Sequence, residues 1–162
     1  MDPLTKLKNR RGVQYWNGDH KIPTAPLNRY LWLIDIDHFK RINDEIGHDA
    51  GDATLQQVAK ILKKFINKQR CLGRWGGEEF ILITQDLSLA EIKKQADELL
   101  TSLREVEIVH GINTLRITVS IGVSVVKDPS DHMWSRALSQ ADKALYVAKD
   151  RGRDCIAMAT DF

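Results

Sequence analysis

The chain has 162 residues, of which 43% are apolar and 28% charged, and its formal net charge is +2. This length suits one domain with a real core, and the small charge excludes a nucleic-acid scaffold or a protein held on a membrane by basic residues. No run of about 18 apolar residues and no signal peptide occurs, so we expect no membrane contact by this domain.

The two cysteines, Cys71 and Cys155, lie in apolar stretches without CxxC spacing. They indicate buried thiols in a reducing compartment, and we therefore expect a cytoplasmic location. A motif begins within the first few residues after Met1. We interpret residues 1–162 as a single domain, consistent with excision from a longer regulatory protein whose other segments would decide any membrane anchoring.

Elements with the period of a strand or of an amphipathic helix follow one another along the chain. The segment 16–27 carries a glycine and two prolines and is predicted to be an exposed loop. The predicted strands are 31–36, 71–75, 79–84, a half-buried strand at 117–125, and 155–159. The predicted helices are 39–46, one capped by Asp49, 88–103 with a capping box from Ser88 and Glu91, and 134–149. This order predicts an α/β fold with a mixed central β-sheet flanked by helices.

The strand 31–36 ends in Asp35-Ile36-Asp37. Burying ionised acids is costly without a cation or a partner, and residues i and i+2 of a strand share a face, so both carboxylates could point into one cleft. The alternative is that Asp37 caps the next helix while Asp35 meets solvent.

Gly76-Gly77-Glu78-Glu79 joins two predicted strands, and the glycines allow the positive φ angles of a tight hairpin turn. Adjacent strand residues face opposite ways, so at most one of the glutamates easily joins Asp35. By itself the motif could be a solvated hairpin tip. Together with an acid-ended strand it indicates an oxygen-ligand site for Mg²⁺.

Two further groups of polar residues suit a nucleotide. Asn43, His48 and Asp52 straddle a helix break, and a carboxylate with an amide can pair with the Watson–Crick edge of guanine. The alternatives are a helix-dipole role for Asp52 and a structural role for His48. Lys149 and Arg153 could hold phosphate oxygens, although cations near a helix C-terminus also favour the dipole.

The chain contains neither GxxxxGK[ST] nor GxGxxG, so a phosphate cradle of the P-loop or Rossmann type is excluded. The start of the helix after Asp37 is the better candidate. The free N–H groups of its first turn, around His38, Phe39 and Lys40, would face a phosphate.

These segments, in this order, resemble the GGDEF family of diguanylate cyclases. LTKLKNRR is similar to the family's opening LTGLPNRR, and RWGGEEF resembles its name motif in the GGEEF form. DIDHFKRINDEIGHDAGD, TVSIGVS, ADKALYVAK and the closing GR resemble the other blocks, so the likeness covers nearly the whole chain. It implies a fold like the palm of polymerases and class III nucleotide cyclases.

The resemblance also implies roles for individual residues. Asp35, Glu78 and the backbone carbonyl of Ile36 would bind two Mg²⁺ ions, with Mn²⁺ as an alternative ion. Glu78 or Glu79 would help to deprotonate the attacking hydroxyl. The implied substrate contacts are Asn43 and Asp52 at guanine, His48 near the substrate, and Lys149 and Arg153 at phosphates.

This sequence departs from the family pattern in three places. Lys6 and Lys8 replace a Gly and a Pro of the opening motif, and the 16–27 loop has no counterpart that we can assign. Many members also carry an inhibitory product site, RxxD. Here those four positions read Asn67-Lys68-Gln69-Arg70, so neither its Arg nor its Asp is present.

The resemblance implies that two GTP molecules are condensed into cyclic di-GMP across a transient two-fold homodimer, without nucleic acid as a partner. One alternative is a catalytically silent GGDEF domain that acts as a GTP-binding or protein-interaction module. Another is a different nucleotidyl transferase on a palm fold.

Overall fold

The computed structural model describes residues 1–159. The helices are α1 Arg10–Asp19, α2 Phe39–Glu45, α3 His48–Leu62, α4 Leu89–Glu105 and α5 Asp131–Asp150. The strands are β1 Asn28–Ile36, β2 Arg70–Arg74, β3 Glu79–Leu87, β4 Ile108–His110, β5 Asn113–Leu115, β6 Val119–Val126 and β7 Ile156–Met158. None of the helices in this part of the chain is long and apolar enough to cross a membrane.

Five strands form the central sheet in the order β2-β3-β1-β6-β7. β1 is antiparallel to both β3 and β6, whereas β6 and β7 run parallel. The sheet is therefore mixed, as predicted. β4 and β5 form a separate two-stranded hairpin.

Helices cover both faces of the sheet because β1 alternates its side chains between them. On one face Leu31 and Leu33 pack with residues of α1 and α5. On the other face Trp32 and Ile34 pack with residues of α3 and α4. β1 is thus the central strand of a three-layer domain, and its C-terminal end brings Asp35 to the α5 side.

Gly122 in β6 lets α5 approach the sheet closely. A Cβ at this position would overlap the carbonyl oxygen of Ala141 and the backbone nitrogen of Leu145, and would lie 2.8 Å from the Cα of Leu145. Ser124 strengthens the same contact, because its hydroxyl donates to the carbonyl of Ala137 at 2.6 Å. The position of α5 against the sheet is therefore fixed by backbone-to-backbone packing.

The predicted loop at 16–27 is partly wrong, because α1 extends through Asp19 and buries Trp16. A fully buried guanidinium holds this region. Arg29 donates to the backbone carbonyls of Asn17, His20 and Lys21, and to side-chain oxygens of Asn17 and Gln85. Its charge is thus met by peptide and amide dipoles, several of them at the C-terminal end of α1.

Three further local predictions are wrong. α3 begins at His48 with Gly47 as its N-cap, so Asp49 is a first-turn acid and not the cap. Gly76 and Gly77 are not among the residues with positive φ angles. β6 is not half-buried, since its polar residues Ser120 and Ser124, which share the face that α5 covers at Gly122, are buried as well.

Candidate active site

Asp35 lies at the end of β1 and is only 4% exposed. Its Oδ2 accepts a hydrogen bond from the ammonium of Lys149 on α5, while its Oδ1 is buried without a hydrogen-bond partner. Burial raises the pKa of this carboxyl, and Lys149 opposes that effect only in part. A buried carboxylate with one unpaired oxygen is suited to act as a ligand of a cation.

Both glutamates of the GGEE motif come close to Asp35. Glu79 is its direct partner across the β1–β3 pair, and the carbonyl of Glu78 accepts from the N–H of Ile36 at 3.3 Å. Burial raises the pKa of Glu79, and the negative charges of Asp35 and Asp142 raise it further. Glu78 also contributes to the raised pKa of Asp35. Both glutamates are therefore near enough to Asp35 to act on its charge, where we expected only one of them to join it easily.

Asp37 is a buried structural acid. Its carboxylate accepts from the hydroxyls of Thr118 at 2.6 Å and Ser120 at 2.7 Å, and from the backbone N–H of Asp154 at 3.1 Å. α2 has His38 at its N-cap position and no side-chain cap. The alternative that Asp37 caps this helix is therefore wrong, and Asp37 instead ties the end of β1 to β6 and to the segment after α5.

Two arginines to which we assigned no role from the sequence hold the turn that carries Glu78. Arg74 donates to the carbonyls of Gly76 at 3.3 Å and Gly77 at 2.8 Å, and Arg10 donates to the carbonyl of Trp75 at 2.7 Å. Arg10 also lies over the Trp75 ring. Three consecutive carbonyls of the turn are thus held by guanidinium groups.

The predicted guanine-binding residues lie at the junction of α2 and α3. Gly51 leaves room for Asn43, because a Cβ there would overlap the Asn43 side-chain oxygen and lie 3.2 Å from the Phe39 ring. His48 and Asp52 are both exposed and occupy positions i and i+4 of α3, hence the same side of the helix. The partly buried Phe39 ring packs against the core.

The two predicted phosphate-binding cations are placed differently. Lys149 contacts Asp35, and so lies at the carboxylates. Arg153 is exposed and belongs to a tight turn directly after α5, next to Asp154 whose N–H reaches Asp37. Lys40 is an exposed residue in the first turn of α2. The candidate site is thus bounded by the end of β1, by the turn at Gly76 and Gly77, and by α5.

The positions of the RxxD motif form an internal network in this chain. Arg70 donates through Nε and Nη2 to Asp86, at 3.0 to 3.2 Å, and through Nη1 to the carbonyl of Phe65. Asn67 also donates to Asp86. The Arg70 side chain is only 10% exposed, so its guanidinium is committed to the fold.

The donor set fits a magnesium ion that is shared with a substrate. Within residues 1–159 no group of three His, Cys, Asp or Glu side chains forms a metal-binding cluster. Asp35 nevertheless has a buried Oδ1 without a hydrogen-bond partner. Ile36 follows Asp35 in sequence, and Glu78 lies across the β1–β3 strand pair. Mg²⁺ is usually held by one or two carboxylates together with phosphates, which matches this arrangement.

Residues 1–155 match the family model described as diguanylate cyclase, GGDEF domain. The chain belongs to the GGDEF family. Diguanylate cyclase DgcZ of Escherichia coli is 36% identical over 157 residues, which cover 95% of this chain and 51% of DgcZ. Response regulator PleD of Caulobacter vibrioides is 37% identical over 96% of this chain and 35% of PleD. The chain thus spans about a third to a half of these GGDEF relatives.

Solved GGDEF structures share the fold over nearly the whole chain. The GGDEF domain of DgcB from Caulobacter crescentus, in complex with c-di-GMP, has a TM-score of 0.85 at 27% identity and covers 99% of this chain and 93% of that one. Diguanylate cyclase SiaD from Pseudomonas aeruginosa, in complex with its activator SiaC, has a TM-score of 0.86 at 32% identity, covering 98% and 61%.

Proposed function

We propose that this domain condenses two GTP molecules into cyclic di-GMP and releases two pyrophosphates. The observation that carries the proposal is the buried, unpaired Oδ1 of Asp35 beside Glu78 and Glu79 at the end of the central strand. The family match supports the same reaction class. A different nucleotidyl transfer is disfavoured because the guanine-directed Asn43 and Asp52 are both present.

We assign the metal ligands to Asp35, Glu78 and the carbonyl of Ile36, with two Mg²⁺ ions per site and Mn²⁺ as an alternative. Bound divalent ions would polarise the α-phosphate and favour ionisation of the attacking 3′-hydroxyl. Glu79 suits a role in accepting that proton, because burial and neighbouring charges raise its pKa and so its proton affinity.

The remaining residues would orient the substrate. Asn43 and Asp52 would pair with the guanine edge, with His48 beside them. Lys149 and Arg153 would hold phosphates, together with the first-turn N–H groups of α2 at Phe39 and Lys40. Lys149 would also favour the ionised form of the Asp35 carboxyl, which it contacts.

The product requires two reciprocal attacks, so we infer a transient homodimer in which two sites face each other across a two-fold axis. Each domain would present one GTP to the other. Binding to nucleic acid or to a membrane is not part of this proposal, since the formal charge of the chain is only +2.

The deciding experiment is incubation of the purified domain with GTP and Mg²⁺, with chromatographic detection of cyclic di-GMP and pyrophosphate. We expect product, a specific rate that rises with enzyme concentration as dimers form, and loss of activity with a chelator. GTP binding without any product at concentrations where the domain is dimeric would contradict the proposal. That result would support the silent, GTP-binding alternative.

Asp52 predicts the choice of base. Adenine has an acceptor at N1 where guanine has a donor, so a carboxylate should reject ATP by about a hundredfold or more. Asp52→Asn should reduce kcat/KM for GTP, and it should reduce the ratio of kcat/KM for GTP to kcat/KM for ATP. Asp49→Asn removes the same charge from the same exposed helical turn and should leave base choice unchanged. Equal use of GTP and ATP by the wild type would refute the role of Asp52.

The network around Arg70 predicts that product does not inhibit through this surface. Added cyclic di-GMP should cause no noncompetitive inhibition, because the Arg70 guanidinium is already bonded to Asp86 and Phe65. Arg70→Ala should lower stability by about 1–3 kcal/mol, since Asp86 loses a charge-assisted partner. It should leave product sensitivity as it was. Sub-micromolar inhibition that disappeared in Arg70→Ala would show a working inhibitory site instead.

A further inference from the structure

The turn after α5 has an unusual backbone. Gly152, Arg153 and Asp154 have φ angles of 110°, 66° and 50°. Two of them carry a Cβ, and side chains other than glycine adopt this region only when the surroundings hold them there. Arg153 is the residue to which we assign phosphate binding, so whatever fixes this turn also fixes the direction of that guanidinium.

The contacts that hold the turn converge on Asp154. Its backbone N–H donates to Asp37 Oδ2 at 3.1 Å, which ties the turn to the end of β1. Its carboxylate accepts from Arg104 on α4 through Nε at 2.9 Å and Nη2 at 3.0 Å. This two-point contact gives a fixed orientation that a single hydrogen bond would not.

Arg104 also borders a cleft of about 480 Å³ that begins at the N-terminal end of α2, where we predicted a phosphate-binding turn. Its lining includes Asp37, His38, Arg41, Arg104, Arg116 and Thr118. Arg116 pairs with Glu107 at 2.7 Å and has no contact with the turn among the described interactions. Of the cations at this cleft, Arg104 is therefore the one joined to the segment that carries Arg153.

We propose that Arg104 is a positioning residue for the triphosphate. It acts through Asp154, by holding the left-handed turn so that Arg153 faces the phosphates of GTP. The proposal rests on the assignment of the domain as a cyclase. It predicts that the guanine end of the substrate is bound normally when the Arg104–Asp154 pair is broken.

The test compares Arg104→Ala, Asp154→Ala and the double variant, all first checked for wild-type thermal unfolding. Each variant should raise the KM for GTP and the inhibition constant of inorganic pyrophosphate by about tenfold. This is the size of the effect expected from one lost charge-assisted contact. The double variant should lose no more than either single one, because both remove the same pair. Inhibition by guanosine, which has no phosphate, should stay within about twofold.

Arg116→Ala is the matched control, because it breaks an ion pair at the same cleft and should leave all these constants unchanged. If Arg104 bound phosphate directly, Asp154→Ala would free it and tighten pyrophosphate binding, which would overturn the proposal. Unchanged constants in Arg104→Ala, or an equal loss in Arg116→Ala, would overturn it too. If the wild type made no cyclic di-GMP, calorimetric binding of pyrophosphate to the same variants would still decide the role of Arg104.

Discussion

Replacing Glu78 by Gln is expected to lower the proposed cyclic di-GMP synthesis by about a thousandfold. The substitution removes the charge of a side chain that we assign as a metal ligand, and such a ligand supplies several kcal/mol of transition-state stabilisation. The amide has nearly the same shape, so the fold should not change. Initial rates with saturating GTP, measured over a range of Mg²⁺ concentrations, provide the test. We expect the variant to need more Mg²⁺ and to remain slow when Mg²⁺ is saturating.

Glu98→Gln is the matched control, since Glu98 is an exposed residue of α4 and the substitution makes the same chemical change away from the site. It should retain the wild-type rate. A Glu78→Gln variant with wild-type turnover and an unchanged Mg²⁺ requirement would show that the metal assignment is wrong. It would leave the family membership untouched.

Gly122→Ala should destabilise the domain by about 3 kcal/mol or more, the upper end of what added atoms cost in a packed core. The new methyl group would overlap the backbone of α5 at Ala141 and Leu145, and backbone atoms cannot rotate away as the end of a flexible side chain can. Because α5 also carries Lys149, the displacement should reduce activity even at temperatures where the variant stays folded. Denaturant unfolding followed by circular dichroism measures the change.

Gly18→Ala serves for comparison. Gly18 lies in α1, and a Cβ there would meet nothing within 4 Å. Alanine is the better helix former, so this variant should be unchanged or more stable by up to about 1 kcal/mol. Similar losses of stability in the two variants would mean that Gly122 matters for a reason other than its close contact with α5.

Most of the sheet and the long helices could be predicted because their apolar residues repeat with a clear period. α4 is an example, since Ser88 and Glu91 form the expected capping box. α1 was missed because only Val13, Trp16 and Asn17 of its ten residues are buried, which gives too few apolar positions to establish a period. The β4–β5 hairpin was missed because three-residue strands are too short to show alternation.

The candidate site was predictable in its chemistry but not in its contacts. An acid-ended strand and a hairpin motif rich in acids were enough to associate Asp35 with the GGEE motif, whereas strand alternation predicted that at most one glutamate joins it easily. The guanidinium support of the turn could not be foreseen, because Arg10 reaches Trp75 from 65 positions away in the chain. The same holds for the pairing of Lys149 with Asp35, which depends on how close Gly122 allows α5 to come.

The burial of Arg29 has a consequence for how this domain responds to its solvent. An ion pair at the surface, such as Arg104–Asp154, weakens when salt screens it. The partners of Arg29 are carbonyl and amide oxygens, which do not titrate, and the group is shielded from ions. The contacts that join α1 to β1 are therefore insensitive to a rise in ionic strength that would loosen the turn containing Arg153. Salt would act on that turn before it acts on the contacts of Arg29.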